Sequence, residues 1–277
     1  MVNFKWNTDS MSPNQFKMAD YIQKNLRHVL LSTEQEISDA LHISIASVSR
    51  FWRSVGYKNF KDFKIQMRKQ MDVSPASKME NTMNLVEGQE LQQHYLKVSN
   101  EHLQRTLEHF SKKSFDNTVD LLTNANKIYI YSPGPSRGLG ELMSYRLSRF
   151  GLNLQILEKG GSELLEDLLH FTKEDVVVIF GFIRILPEGQ VILDYQKKIG
   201  FKTVLITDQL VADFINQADI SLFASRGEMW EFHSMIAPTF LIENLIIAIG
   251  MESKEENIQR LEQLSDLRKQ FNKELPR

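Results

Sequence analysis

The chain has 277 residues and a net charge of −2. The length predicts one large or two ordinary domains, and the hydrophobic share of 42% is enough for a buried core. The absence of cysteine excludes disulfides and thiolate metal sites and fits a reducing compartment. Because no apolar run approaches the roughly 18 residues of a membrane span and the N-terminus lacks a signal-peptide layout, we expect a cytoplasmic protein with no membrane partner.

The first predicted helix begins at Ser12-Pro13. Ser12 is placed as the N-cap, and Pro13 occupies the first helical position, where its missing amide proton costs nothing. Apolar residues then follow to form a buried face: Phe16, Ala19, Tyr21, Ile22 and Leu26. We expect this helix to support the two that come after it.

Two short amphipathic segments joined by a tight connection follow, and Ser32 and Ser44 are placed to cap them. Gln35 lies three residues after Ser32, which has the form of a capping box. Gly56 offers a left-handed stop to the second segment. In that segment apolar residues recur at helical spacing: Val48, Phe51, Trp52 and Val55. The pattern predicts a helix-turn-helix over Thr33–Val55, and the alternative is two ordinary surface helices with a capped turn.

The opposite face of the second segment is polar and carries no acidic residue. It holds Ser47, Ser49, Arg50 and Arg53. Short hydroxyl side chains let a backbone approach DNA closely, and a guanidinium can bind a guanine or a phosphate. Residues 1–71 also hold 11 Lys and Arg against 6 Asp and Glu, whereas the remainder has a net charge of −7. A basic module on an acidic body is typical of a nucleic-acid binder with an attached domain of another function.

Six residues are predicted to contact DNA. Ser47 and Arg50 would read base edges, and Ala46 would touch a thymine methyl group. Lys58 and Lys61 lie beside the end of the recognition helix, where a following helix is expected to begin with Asn59 as its cap, and would contact phosphates; a solvated surface is the alternative for both. The full set is Ser44, Ala46, Ser47, Arg50, Lys58 and Lys61.

The chain changes character after this helix. Residues 72–85 have the composition of a linker, and a long helix is expected from about Leu85 to Phe110, packed on the second domain or on another subunit. We therefore predict an all-α helix-turn-helix domain at 1–75, a linker and connecting helix at 76–110, and an α/β domain at 111–277.

Helices alternate with short β-branched runs in that last domain. Strands are expected at Lys127–Tyr131, Leu152–Leu157, Asp175–Phe180, Thr203–Thr207 and Ile220–Phe223. Helices are expected at about Ser114–Asn124, Arg137–Phe150, Glu163–Phe171, Gln190–Ile199, Ser234–Gly250 and Lys254–Lys273. Continuous apolar strands between helices predict a five-stranded parallel sheet flanked by helices on both faces.

Ligands of open parallel sheets bind at the carboxyl ends of the strands, where loops run into helix N-termini. The loop after the first strand offers Gly134 for close backbone approach and the hydroxyls of Ser132 and Ser136. Ser136 is placed to cap the next helix so that its free amides face an anion, and Arg137 adds a cation. This loop is a candidate anion site, and a turn with a capping serine is the alternative.

The loop after the third strand is a second candidate, because it contributes Arg184 and, at the start of the next helix, Glu188. Neither loop contains a metal-ligand pattern, and we expect no metal and no cofactor.

Together these features resemble the RpiR family of bacterial transcription regulators, which pair an N-terminal helix-turn-helix with a C-terminal sugar isomerase (SIS) domain that senses a phosphosugar. The resemblance is carried by Ser44–Phe51, by Gly56–Lys64, and by the strand-loop-helix with Gly134 and Ser136, and it spans nearly the whole chain. It implies a DNA-binding regulator of sugar metabolism, with duplex operator DNA and a sugar phosphate or related anion as partners, assembled as a homodimer or homotetramer.

The second loop departs from the family pattern. The family's two serines, glycine and threonine, which wrap the ligand phosphate, are replaced here by Gly181, Ile183, Arg184 and Leu186. Ser132 replaces the leading glycine of the first loop, and His42 replaces the turn glycine of the DNA-binding domain, where a left-handed conformation carries some strain. Three alternatives follow: Arg184 substitutes with one charge-assisted contact, the domain binds a different ligand, or it serves only in dimerisation.

A sugar-phosphate isomerase with a vestigial N-terminal domain is the alternative from another class. Such an enzyme needs an acid and a base beside the sugar. Candidates are Glu163, Glu188, Glu228, Glu231 and His233. An isolated His or Glu at a helix start is more often a cap or an ion-pair member, and the phosphate loop is eroded, so we expect no catalysis.

Overall fold

The computed structural model describes residues 6, 11–70, 74–87, 90–228 and 231–275. The chain divides into two compact units: residues 1–87 with 230–232 form the first, and residues 88–229 with 233–277 form the second.

The first unit is all helical, as predicted. Its helices are α1 (Pro13–Leu31), α2 (Glu34–Leu41), α3 (Ile45–Ser54), α4 (Phe60–Gln70) and α5 (Pro75–Val86). Ser12 and Gln15 form a capping box at α1 with Pro13 in its first turn, so the predicted start of that helix is confirmed. The core is centred on the fully buried Trp52, whose ring stacks on Phe60 and Phe63 with both centroids 4.7 Å away.

The predicted capping box of α2 is wrong by one residue. Thr33 is the N-cap and Glu36 its reciprocal partner, while Ser32 ends α1 and donates its hydroxyl to the carbonyl of His28 at 2.8 Å. The hydrogen bonds from Thr33 lower the pKa of the Glu36 carboxyl. Ser32 is buried with its hydroxyl bonded to α1, whereas the Thr33 hydroxyl accepts from the amide of Glu36 at 3.2 Å.

The segment predicted as a linker is also different in the structure. Residues 75–86 form α5, which begins with a capping box between Ser74 and Ser77 and has Pro75 in its first turn. These are the same start signals as in α1, and they outweigh the polar composition of the segment. Residues 72 and 73 of the predicted linker lie outside the described residues.

The second unit starts with α6 (Leu91–Glu108) and α7 (Lys112–Asn124) and then alternates strands with helices. Its strands are β1 (Ile128–Tyr131), β2 (Leu154–Ile156), β3 (Val176–Phe180), β4 (Lys202–Thr207) and β5 (Ile220–Phe223). Its later helices are α8 (Arg137–Leu147), α9 (Leu164–Leu168), α10 (Pro187–Ile199), α11 (Ile236–Glu252) and α12 (Lys254–Gln270).

Within the described residues, the five strands form one all-parallel sheet in the order β2-β1-β3-β4-β5, which confirms the predicted sheet. One face packs against α7, α8 and α11, and the other packs against α9 and α10. Both faces are apolar because helices cover both, which is why β3 is buried along its whole length. No single helix in the described ranges has the length and apolarity of a membrane span; α11 and α12 meet those criteria only as a pair bent by 103°.

Candidate DNA-binding face and ligand crevice

The orientation of α3 is set by its contacts with α2. Val48, Phe51 and Trp52 are completely buried. One oxygen of Glu34 accepts hydrogen bonds from the indole nitrogen of Trp52 at 2.9 Å and from the hydroxyl of Ser49 at 3.0 Å. Ser49 therefore faces α2, and its predicted place on the open polar face is wrong.

The open face of α3 carries Ala46, Arg50 and Arg53, all exposed and spaced i, i+4 and i+7. On an α-helix this spacing places the three side chains along one side. Arg53 was absent from the predicted DNA contacts, although its spacing from Arg50 is visible in the sequence. The face has two guanidinium groups beside a small side chain, which is suited to approach and contact of DNA.

The N-terminus of α3 presents two hydroxyls. Ser44 caps the helix, as predicted, by accepting from the amide of Ser47 at 3.2 Å, and the two side-chain oxygens lie 2.9 Å apart. The preceding turn holds His42 in a left-handed conformation with φ 53°, in agreement with its place at the usual turn glycine. Gly56, which follows α3, has φ 94° and so provides the predicted left-handed stop of this helix.

The lysines near α4 divide into two groups. Lys58 and Lys61 are exposed, and Asn59 accepts from the amide of Asp62 at 2.9 Å, which confirms it as the cap of α4. Lys64 instead donates to the carbonyl of Ser32 at 2.5 Å and lies 4.4 Å from the ring centroid of Phe60. Lys64 therefore holds the end of α1, which leaves Lys58 and Lys61 as candidates for phosphate contact.

In the second unit, the strand order reverses at β1 and β3. The crevice beside the carboxyl ends of these strands is where open α/β sheets bind ligands. It lies between the loop at residues 132–136 and the loop at residues 181–187. Both candidate loops are thus brought to one edge of the sheet.

The first loop has its hydroxyls turned inward. Ser136 is buried and donates to the carbonyl of Pro133 at 2.6 Å, so the prediction that its side chain caps α8 is wrong. Ser132 is 7% exposed, and its hydroxyl has no hydrogen-bond partner among the described residues. Gly134 has φ +59°, which a glycine adopts without strain. Arg137 is exposed and lies 3.8 Å from Glu158.

Ser132 fits beside α8 because a glycine faces it. A Cβ atom on Gly140 would lie only 2.2 Å from the Ser132 hydroxyl oxygen. The serine that replaces the family's loop glycine is therefore accommodated by a missing side chain on the neighbouring helix.

The second loop is closed by backbone contacts. Ile183 has φ 65°, a left-handed conformation that strains a β-branched residue, and its amide donates to Asp208 at 2.6 Å. Arg184 is exposed. Glu188 accepts from the amide of Gly161 at 3.1 Å and from the hydroxyl of Tyr131 at 3.4 Å. Backbone amides lower the pKa of Glu188, whereas burial and the charge of Glu188 raise the pKa of Tyr131 to about 12.

Two of the candidate acids and bases of an isomerase have structural contacts. Glu228 pairs with Arg105 at 2.9 Å, and the imidazole of His233 lies 3.2 Å from the carbonyl of Glu228. Glu163 is exposed at the start of α9, and Glu231 is half-buried. In the part of the chain that the structure describes, no group of three His, Cys, Asp or Glu could hold a metal ion.

Two family models match the chain. A helix-turn-helix domain of the rpiR family matches residues 4–74, and the SIS domain matches residues 121–248. Among curated proteins, an uncharacterized HTH-type transcriptional regulator of Caldanaerobacter subterraneus is 24% identical over 94% of this chain and 93% of its own length. The bifunctional protein glk of Burkholderia thailandensis is 23% identical over 92% of this chain but only 40% of its own length.

Solved structures share the fold. The Vibrio vulnificus NanR protein complexed with ManNAc-6P superposes with a TM-score of 0.56 at 18% identity, over 96% of each chain. The sugar isomerase domain of an RpiR transcription factor from Sphaerobacter thermophilus superposes with a TM-score of 0.60 at 20% identity, over 64% of this chain and 99% of that one.

Proposed function

The chain belongs to the RpiR family of helix-turn-helix transcription regulators with a SIS domain, and we propose that α3 reads operator DNA while the SIS domain senses a phosphorylated sugar or a related anion. It acts as a homodimer or homotetramer in the cytoplasm, with half-sites spaced by about one helical turn or a multiple of it. An HTH-type regulator aligns over 94% of the chain, whereas the match to the bifunctional glk protein covers 40% of that protein. We therefore propose that this chain is not itself an enzyme.

The open face of α3 supports DNA reading more than any other observation. Arg50 and Arg53 are exposed on the side opposite the buried Trp52, and α3 carries no acidic residue that would repel phosphates. Ser44, Ala46 and Ser47 at the helix start add short side chains, with which a recognition helix contacts base edges. We propose that Lys58 and Lys61 contact the DNA phosphates.

Selection of duplexes from a random library with the full chain would supply the site for a test. Arg50→Ala should weaken binding to the selected site by roughly 1–3 kcal/mol and relax one base position, whereas Lys58→Ala should weaken all duplexes equally and reduce the salt dependence. Arg146→Ala, which removes an exposed arginine of α8, is the control and should bind like wild type. Equal affinities of wild type and Arg50→Ala would overturn the assignment.

The crevice at β1 and β3 supports ligand sensing. We propose that Ser132, Gly134, Ser136, Arg137, Arg184 and Glu188 surround the ligand there. ManNAc-6P, which the Vibrio vulnificus NanR structure contains, is the first probe. It should raise the melting temperature of the second unit and change the affinity for the selected duplex, and Arg184→Ala should reduce both effects.

A SIS domain that only dimerises is the second candidate, and a specific observation favours it. Ser136 and Glu188 already have hydrogen-bond partners within the protein, so two of the proposed ligand contacts are occupied. If a panel of phosphosugars shifts neither the melting temperature nor the DNA affinity while DNA binding persists, this candidate replaces ligand sensing.

A further inference from the structure

A buried arginine lies at the carboxyl edge of the sheet with part of its hydrogen-bonding capacity unused. Arg226, three residues after β5, is 6% exposed, and its Nε atom has no partner among the described residues. Buried polar groups in native proteins are nearly always paired, and each exception requires an explanation such as a bound ion. The pKa of Arg226 is lowered by burial, and Asp208 opposes that effect.

The ion pair between Arg226 and Asp208 has poor geometry. Nη1 lies 3.4 Å from Asp208, whereas a charge-assisted bond of this kind is usually about 2.7–2.9 Å long. The side chain of Asp208 is 4% exposed, and its other oxygen accepts the short bond from the Ile183 amide. The carboxylate is therefore committed to the loop after β3, and it satisfies the guanidinium only in part.

The backbone around Arg226 is held from two sides. The amide of its neighbour Ser225 donates to the hydroxyl oxygen of Thr106 at 3.0 Å, and the Ser225 hydroxyl lies 3.2 Å from the ring Nδ1 of the buried His102 of α6. The carbonyl of Arg226 accepts from the amide of Ser234 at 3.0 Å. The guanidinium carbon lies 4.3 Å from the ring centroid of Phe182. The side chain is therefore pre-organised beside a loop whose residue Ile183 is strained.

We propose that Arg226 is the anion-binding residue of this SIS domain, which takes an oxyanion such as a phosphate monoester between its guanidinium and the tip of β3. The inference rests on the proposed ligand-sensing function and names the residue that replaces the eroded phosphate loop. A planar guanidinium offers two parallel N–H donors to a phosphate. The exposed Arg184 would make this contact in water at the loop surface, whereas Arg226 would make it in a buried position. Asp208 holds the site while it is empty, and the anion competes with it.

If Asp208 and the anion compete for the Arg226 guanidinium, removing the charge of Asp208 should strengthen anion binding, which a purely structural ion pair would not predict. Asp208→Asn keeps an oxygen for the Ile183 amide but removes the negative charge that repels the ligand. It should bind inorganic phosphate about tenfold more tightly than wild type. Arg226→Gln should lose about tenfold or more in phosphate affinity, and Arg226→Lys should lose most of it because a single ammonium lacks the planar fork.

Isothermal titration of the full chain with inorganic phosphate, at constant ionic strength, measures these affinities. Arg146→Gln is the control, since it removes an equal charge from an exposed position of α8 and should bind phosphate like wild type. The proposal is overturned if wild type binds no phosphate, or if Asp208→Asn and Arg226→Lys, both of which retain a polar group at the pair, bind it as wild type does.

A second arm with ManNAc-6P separates this inference from the proposed function. Phosphate binding that depends on Arg226, without any phosphosugar effect on DNA affinity, supports the inference and contradicts phosphosugar sensing. A ManNAc-6P affinity that is the same in wild type and Arg226→Lys supports sensing and overturns the role of Arg226.

Discussion

The bond between Glu34 and Trp52 offers a direct test of how α3 is held. Glu34→Ala leaves the indole N–H of a fully buried tryptophan without an acceptor, which costs about 1–3 kcal/mol. Glu34 also lies in the first turn of α2, where loss of its charge costs a further 0.3–1 kcal/mol, roughly. Ser49 is half-buried and can bond to water, so it adds little. We expect a total loss of about 1–4 kcal/mol in the free energy of unfolding.

Urea unfolding followed by tryptophan fluorescence measures this loss, because Trp52 is in the core of the first unit. Glu34→Gln retains an acceptor oxygen and should lose only about 1 kcal/mol. Gln35→Ala, at the next position on the exposed face of α2, should stay within about 0.5 kcal/mol of wild type. If the alanine and glutamine variants of Glu34 unfold at the same urea concentration, the bond does not stabilise α3 and the reasoning is wrong.

Two further predictions concern the second unit. Gly140→Ala should destabilise this unit by about 1–3 kcal/mol because the new Cβ atom meets the Ser132 hydroxyl. Ser132→Gly in the same chain should restore most of the lost stability. Equal melting temperatures of the single and double variants would contradict this prediction. The Tyr131 phenol should titrate at about pH 12 in an ultraviolet absorbance titration, and Glu188→Gln should lower its pKa. Because folding raises the pKa of Tyr131, the protonated phenol contributes a stability that is fully present below the ordinary tyrosine pKa of about 10 and is lost as the pH rises through the folded value. A Tyr131 that ionises at its ordinary pKa in the folded protein would contradict this prediction.

Local signals predicted most of the secondary structure. β3 and β4 are continuous apolar runs, and such runs identify buried parallel strands because both faces of the sheet are covered. The caps Ser12, Ser44 and Asn59 were found because an N-cap bonds to amides only two or three residues away. The errors arose where two local signals disagreed. Ser32 and Thr33 are adjacent residues that can both cap a helix, and the polar composition of residues 72–85 was given more weight than the Ser74-Pro75 helix start.

The candidate sites were less accessible to sequence reasoning. The predicted DNA contacts at Ser44, Ala46, Ser47, Arg50, Lys58 and Lys61 stay predictions, and Arg53 joins them because of its place on α3. Ser136 was expected to cap a helix, but its hydroxyl turns to Pro133. Arg226 was not considered at all, because nothing in a sequence marks an arginine as buried.

The sequence by itself determined the five strands and most of the helices, the basic N-terminal module and the family, because these depend on spacing within a few turns of chain or on motifs that are contiguous. Only the tertiary structure decided the strand order, the pairing of Glu34 with Trp52, and the meeting of Phe182, Asp208 and Arg226 at one edge of the sheet. Those contacts join residues far apart in the chain, and burial turns an ordinary charge into one that must find a partner.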